Sequence, residues 1–321
     1  TEGKIVIVDG DQAKVLSKLS TGYLANSLLS ADGKELYVVE TFWSRGTRGE
    51  RTDVVTIFDM ATFLPAGEIQ IPGRFLAVTQ PYNIGLSPDG RLLYVFNLNP
   101  ATSVIVVDIR ERKVVGEIST PGCALVLPAK DKFLMPCGDG TFLQVNLDAS
   151  GQETSRARTD KIFDVDTDPI SERPAVTSKG YAFTSYGGKV YEVDITGDAP
   201  VYAAPWSLTT DAEAAWRPGG WEQVAYSPST NELYVSMHQG GPGTHEMPGP
   251  EIWVYNLAEK KKARVITPEE PVISIAVSRD DKPILAAITE TLSLSIMDAA
   301  SGTQTGNLGG LMELGLVLET P

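Results

Sequence analysis

The feature that most restricts the fold of this chain is a repeat of about fifty residues, a period that in short apolar segments points to propeller blades. The clearest unit runs from Ile84 through the turn Ser87-Pro88-Asp89-Gly90 to Phe96, continues with Ser103 to Asp108, and after a charged turn ends with Lys113 to Ile118. Each apolar run is too short for a helix and has the Val, Ile, Leu and Tyr content of a buried strand. The unit therefore reads as four antiparallel strands. The same order recurs at Leu28 to Val39 with Asp53 to Asp59, at Val224 to Met237 with Glu251 to Asn256, and at Ile273 to Ile288 with Leu292 to Asp298. Weaker copies begin near Leu125 and Ala175. The third strand of each copy ends in Asp or Asn, residues that bond to nearby amides and tolerate left-handed backbone, so turn chemistry accounts for them without a functional role.

Six complete units leave remainders at both ends. Lys4 to Asp9 and Ala13 to Leu19 resemble third and fourth strands, and Leu311 to Glu319 resembles a first strand. A ring that assembles one blade from both termini removes exposed sheet edges, and its missing second strand would precede Thr1. The expectation is an all-β fold: a seven-bladed β-propeller of four-stranded antiparallel blades, the last closed by both termini, forming a single domain over residues 1–321. Thirty Gly and 21 Pro, with no long run of helix formers at helical spacing, agree with short strands and tight turns.

A formal charge of −14 argues against nucleic acid, because a polyanion would be repelled. The basic run Lys260-Lys261-Lys262 with Arg264 falls where a hairpin would turn and reads as solvated. No run of eighteen apolar residues occurs, so membrane insertion is not expected. Cys123 and Cys137 flank a strand-turn-strand segment and fit either one disulfide or two buried thiols.

Two segments depart from the repeat. Thr41 to Asp53 lies between two strands and carries Phe42, Trp43, Arg45, Arg48 and Arg51, the aromatic and arginine mixture that protein interfaces favour and that an exposed connection also permits. Trp206, Trp216, Arg217 and Trp221 gather three of the five tryptophans, which either seal a blade junction or anchor a partner. His238 and His245 beside the loop Gln239 to Thr244 lack further ligands nearby in sequence, so no metal is expected. Asp164 to Pro169 imitates the start of a calcium loop without its glycine and terminal glutamate, and reads as a turn. With no nucleophile elbow, dinucleotide fingerprint, Walker loop or paired Cys-x-x-Cys, no residue is assigned a catalytic role.

Arg45 to Asp53 (Arg-Gly-Thr-Arg-Gly-Glu-Arg-Thr-Asp), Pro100 to Ser103, Cys137-Gly138-Asp139-Gly140 and Trp216 to Gln223 resemble the heavy subunit of methylamine and aromatic amine dehydrogenases, and the likeness spans nearly the whole chain. The resemblance implies a seven-bladed propeller in the periplasm, paired in an α2β2 heterotetramer with a small, disulfide-rich light subunit that carries tryptophan tryptophylquinone. It implies oxidation of a small primary amine to aldehyde and ammonia on that light subunit, with electrons passed to a cupredoxin of the amicyanin or azurin type. It also implies that Cys123 and Cys137 are bonded, and that Tyr23, where the family usually has Phe, stands at the mouth of the substrate channel, with Leu24 and Asn26 as further channel candidates. Phe42, Trp43, Arg45, Arg48, Arg51, Trp216, Arg217 and Trp221 are the candidate subunit-interface residues. Two other readings of the residues stay open: a stand-alone, lactonase-like propeller hydrolase, and a binding propeller without redox chemistry.

Overall fold

The computed structural model of the protein describes residues 3–311 and 317–320. Among them the chain forms six four-position antiparallel sheets, each a meander of the kind the repeat predicts, and a two-stranded one. Blade 1 comprises Tyr23–Leu29, Glu35–Arg45, Arg48–Asp59 and Leu64–Ile71. Blade 2 comprises Ile84–Leu86, Leu92–Asn97, Ser103–Asp108 and Lys113–Ser119, and blade 3 comprises Leu127–Ala129, Lys132–Pro136, Phe142–Leu147 and Glu153–Arg158. In blade 4, Ala175–Val176, Gly180–Thr184 and Lys189–Asp194 are followed by a fourth position shared by Val201–Tyr202 and Trp206–Ser207. In blade 5, Trp216–Pro218 and Val224–Ser227 share the first position before Glu232–Gln239, Glu251–Asn256 and Lys261–Ile266. Blade 6 comprises Val272–Val277, Ile284–Thr289, Leu294–Asp298 and Gln304–Leu308.

The seventh blade is a correction to the expectation. Among the described residues Gly3–Asp9 and Lys14–Thr21 pair with each other and with no further strand, which gives six four-position blades and one two-stranded hairpin. The segment Leu311 to Glu319, expected to supply a first strand, falls partly on residues 312–316, which lie outside the described residues. Residues 317–320 are not in a strand, and their hydrogen bonds run elsewhere. The N–H of Leu318 is donated to Glu222 at 2.6 Å, and Thr320 Oγ1 donates to the Val277 carbonyl at 2.9 Å.

Turn chemistry explains the repeat. Ser87 Oγ donates to Asp89 at 2.6 Å and accepts the N–H of Leu92 at 2.8 Å, while Gly90 takes φ +68°. Ser30, Asp32 and Gly33 repeat the arrangement in blade 1. At the end of the third strands Asp59, Asp108, Asn256 and Asp298 each accept a backbone N–H three residues on, and the fourth residue on is left-handed in each case. The side chain thus replaces the ladder partner that the turning backbone loses.

The chain divides into two compact units: Thr1–Ile7 with Ser17–Asp164, holding blades 1–3, and Val8–Leu16 with Val165–Pro321, holding blades 4–6. In the first unit, alternation along blade 2 sends Leu93, Val95, Ile105 and Val107 against Tyr37, Val55 and Ile57 of blade 1. It sends Tyr94, Phe96, Val104 and Val106 against Phe133, Met135 and Val145 of blade 3. Both faces are buried, which is why the strands read as unbroken apolar runs. Each such side chain contributes about 1.5–3 kcal/mol on leaving water. The terminal hairpin covers the outer side of blade 1, where Leu19, Ile5 and Ile7 meet Leu36, Val38 and Phe58. In the second unit, blade 5 does the same with Leu233, Val235 and Trp253 toward blade 4 and Tyr234, Ile252 and Val254 toward blade 6.

Candidate functional site

The segment Thr41 to Asp53, read as a connection between two strands, is itself a β-arm. The second and third strands of blade 1 stay paired through Thr41↔Asp53, Phe42↔Thr52 and Trp43↔Arg51 to Arg45↔Arg48, turning at Gly46 with φ +72°. Arg45 and Arg48 are exposed at its tip, and Phe42 is exposed along it. The cross-strand pairing brings Arg51 to Trp43, with the guanidinium 5.6 Å from the indole centroid and 4.6 Å from the ring of Phe75. Such stacking favours cations held between aromatic faces. Arg51 Nη2 also donates to Asp53 Oδ1 at 2.8 Å and to the carbonyl of Arg74. Asp53, itself buried, accepts the hydroxyl of Thr41 at 2.6 Å.

A small hollow of about 70 Å³ opens beside this group, walled by Tyr23, Leu24, Trp43, Arg51, Arg74 and Phe75. Tyr23 is 49% exposed and Phe75 54% exposed, so two large aromatics of the same wall are turned to solvent. Beneath them the polar groups are satisfied inward. Arg74, only 3% exposed, donates to the carbonyl of Leu24 at 2.7 Å and to Asn26 Oδ1 at 3.3 Å, while Asn26 Nδ2 donates to the Gln80 carbonyl at 2.9 Å. Burial brings the Arg74 guanidinium down to about 10, a change partly offset by the attraction of Asp53. Glu40, 1% exposed, accepts the N–H of Gly22 and the hydroxyl of Thr56, and burial pushes its carboxyl up.

Of the residues singled out from sequence, the structure gathers Tyr23, Leu24, Trp43 and Arg51 around one hollow. Asn26 lies behind it as part of the hydrogen-bonded support. The wall residues Arg74, Phe75 and Leu76 were missed. All three sit in the stretch between blades 1 and 2, outside any repeat strand, and an Arg-Phe pair just after Pro72-Gly73 was the available signal.

In the second unit the tryptophans do not form one patch. Trp206 lies against Tyr255 with ring centroids 5.6 Å apart and donates its indole N–H to Glu192 at 3.0 Å. Trp216 packs against Trp253 at 5.1 Å, and Trp221 carries the guanidinium of Arg173 at 3.6 Å from its centroid. Arg217 stands opposite His238 on the neighbouring strand, whose Nε2 bonds Thr244 Oγ1 at 2.8 Å. His245 stacks on Tyr186 at 3.8 Å. Burial, then the charge of Arg217, lowers the affinity of His238 for a proton. The basic run is less solvated than its sequence suggests, because Lys262 sits 3.4 Å from the Trp253 centroid and pairs with Glu213. Asp168, in the acidic run, pairs with Lys189 at 3.2 Å and accepts the N–H of Gly187. Among the described residues no cluster of three or more His, Cys, Asp or Glu is placed to hold a metal ion, and no helix is long and apolar enough to cross a membrane.

Cys123 and Cys137 are disulfide-bonded across an antiparallel bridge, both sulfurs buried between blades 2 and 3, with Arg158 Nη2 3.2 Å from Cys123 Sγ. The pairing implied by the resemblance is therefore present.

Comparison with known proteins places these features in context. The family model for the methylamine dehydrogenase heavy chain (MADH) matches residues 2–319. The methylamine dehydrogenase heavy chain of Methylophilus methylotrophus is 32% identical over 314 residues, covering 96% of this chain and 77% of that protein. That of Methylorubrum extorquens is 30% identical over 313 residues, covering 95% and 76%, and that of Paracoccus versutus 31% over 306, covering 93% and 71%. Among solved structures, a functionally unknown protein from Desulfotomaculum acetoxidans DSM 771 superposes with a TM-score of 0.64 at 12% identity, covering 96% of this chain and 92% of that one, and so shares the fold alone. Identity at this level along nearly the whole length, together with the Cys123–Cys137 disulfide that the resemblance implied, leads to one conclusion: the chain belongs to the methylamine dehydrogenase heavy chain family.

Proposed function

We propose that this chain is the large, non-catalytic subunit of a periplasmic amine dehydrogenase, and that it binds a light subunit carrying tryptophan tryptophylquinone in an α2β2 assembly. The observation that carries the reading is the half-exposed aromatic pair Tyr23 and Phe75 beside Arg51, on a chain that the heavy-chain family model matches over residues 2–319. In the assembled enzyme the quinone supplies the electron sink for oxidation of a primary amine to aldehyde and ammonia, and a cupredoxin takes the electrons. This chain contributes surface and shape. Tyr23, Leu24 and Phe75 present an apolar wall that excludes water, while the charges of Arg51 and Arg74 are turned inward onto Asp53, Leu24 and Asn26. The hydroxyl of Tyr23 adds a polar tip to that wall. Phe42, Trp43, Arg45, Arg48 and Arg51 in the first unit, and separately Trp216, Arg217 and Trp221 in the second, are the candidate contacts for the light subunit. Residues 1–321 act in this reading as one propeller domain.

The test is purification of the native complex, with visible absorption, quinone staining and amine-dependent dye reduction. A small quinone-positive chain bound to this one, with amine activity that changes its substrate profile in Tyr23→Ala, is the expected result. A colourless chain recovered alone and inactive on amines, from cells that make the light subunit, overturns the reading.

A further inference from the structure

Tyr23 owes its direction to an irregularity in the first strand of blade 1. Pairing with the second strand runs regularly from Leu29 to Asn26, which faces Val39, and then skips, so that Tyr23 faces Thr41. Two residues of one strand, Leu24 and Ala25, thus stand opposite one of the other, Glu40. The extra residue is a bulge, and Leu24 within it takes φ +48°, a left-handed conformation that a leucine adopts only when its surroundings impose it. Removing the bulge would shift Tyr23 by one ladder position and turn it to the opposite face of the sheet.

The surroundings that impose it are two buried charges, one on each side of Tyr23. On the N-terminal side, Glu40 accepts the N–H of Gly22, and it is held for this by the hydroxyl of Thr56. On the C-terminal side, Arg74 donates Nη2 to the carbonyl of Leu24 at 2.7 Å and Nη1 to Asn26 at 3.3 Å. Gly22 itself passes so near the second strand that a Cβ there would stand 2.5 Å from the Thr41 carbonyl. The Thr21–Gly22 and Leu24–Ala25 peptide groups, one residue to either side of Tyr23, are therefore each tied to a charged side chain shielded from water. Buried charged groups are costly, and their best-attested use is to select one arrangement among alternatives.

We infer that Glu40 and Arg74 are positioning residues that clamp the Gly22–Tyr23–Leu24 backbone and so fix the face on which Tyr23 is presented. Neither touches solvent appreciably, and each acts through the main chain rather than on the tyrosine ring. The link from the clamp to amine selectivity rests on the channel reading of Tyr23 given above, whereas the clamp itself does not.

The experiment uses the assembled complex with 3-fluorotyrosine placed at position 23, and compares wild type, Arg74→Met, Leu24→Gly and the double variant. In wild type one sharp 19F resonance is expected. Arg74→Met should broaden or split it and shift the ratio of kcat/KM between a bulky and a small amine by about tenfold, with quinone content unchanged. Leu24→Gly should restore both readouts in the Arg74→Met background, because glycine adopts the left-handed turn without help. Arg74→Lys keeps the buried charge but cannot reach both acceptors, and serves the same comparison if the methionine variant does not assemble. An unchanged resonance in the Arg74 variants, or a double variant no closer to wild type than Arg74→Met, overturns the clamp. A resonance that responds and is rescued, with an amine profile indifferent to Tyr23→Ala, supports the clamp and removes the channel reading instead.

Discussion

Glu222, 6% exposed, accepts the backbone N–H of Leu318 at 2.6 Å across 96 residues of chain. Burial pushes its carboxyl up to about 8, with the Leu318 bond and the charge of Arg173 opposing and Glu319 adding to the rise. The unfolded chain releases this proton near the ordinary glutamate value of 4.5, the folded chain only near 8. Between those values the unfolded state binds fewer protons, so stability contributed by this group is full below that window and falls as pH rises through it. The slope is at most about 1.4 kcal/mol per pH unit. Urea unfolding between pH 5 and 8 should show wild type losing stability faster than Glu222→Gln. Parallel curves would assign the proton elsewhere.

The disulfide joins residues 14 apart in sequence at the contact between blades 2 and 3. Closing so short a loop restricts the unfolded chain by about 3 kcal/mol. Replacing both cysteines by alanine should lower the unfolding free energy by about that amount. Reductant should lower wild type toward the variant and leave the variant where it is.

Gly85 and Gly90 stand five residues apart and should respond differently to alanine. A Cβ on Gly85 would lie 2.6 Å from Pro128 Cγ and 3.2 Å from the Val126 carbonyl, so the gap between blades 2 and 3 would have to widen. Overpacking of this kind costs about 1–3 kcal/mol. At Gly90 nothing lies within 4 Å, and only the left-handed backbone at φ +68° is penalised, by about 1 kcal/mol. Thermal unfolding of the two variants gives the order directly. A Gly90→Ala change as damaging as Gly85→Ala would contradict the packing account.

Phe75→Ala and Arg51→Ala separate binding from stability. Phe75 is more than half exposed, and its loss should leave unfolding of this chain within about 0.5 kcal/mol of wild type. It should nonetheless weaken association with the light subunit by about 2 kcal/mol if the proposed interface is right. Arg51→Ala should weaken association and also destabilise this chain, since buried Asp53 loses its cation. The expected stability cost is about 2 kcal/mol, nearer the lower end because Thr41 still donates to that carboxylate. Calorimetric titration of the light subunit, beside urea curves, distinguishes the two effects.

The blades were legible because each is written within one stretch of chain: apolar runs of strand length, a Ser-x-Asp-Gly turn, and a closing Asp or Asn. The disulfide was legible only through the family likeness, since spacing alone left two thiols equally open. The seventh blade was not, because the Asp9 turn that made the terminal hairpin look like half a blade specifies only the two strands it joins. The long arm of blade 1 was mistaken for a connection because its arginines and threonines do not alternate with apolar residues once it leaves the sheet. Arg74 and Phe75 were missed for a related reason. They lie between repeats, and what matters about them is which carbonyl and which ring they meet, information that no local pattern carries.

The meander within each blade bears on the order in which the protein can be built. A sheet whose neighbours are almost all consecutive strands is complete as soon as its own segment has been synthesised, and short loops close cheaply. Blades can therefore form one after another behind the growing end of the chain. The bond from Leu318 back to Glu222 is a late one, for blade 5 is finished at Ile266 but its buried carboxyl must wait more than fifty residues for that donor. A nascent chain halted after blade 6 would hold every sheet described here with Glu222 still waiting for that amide.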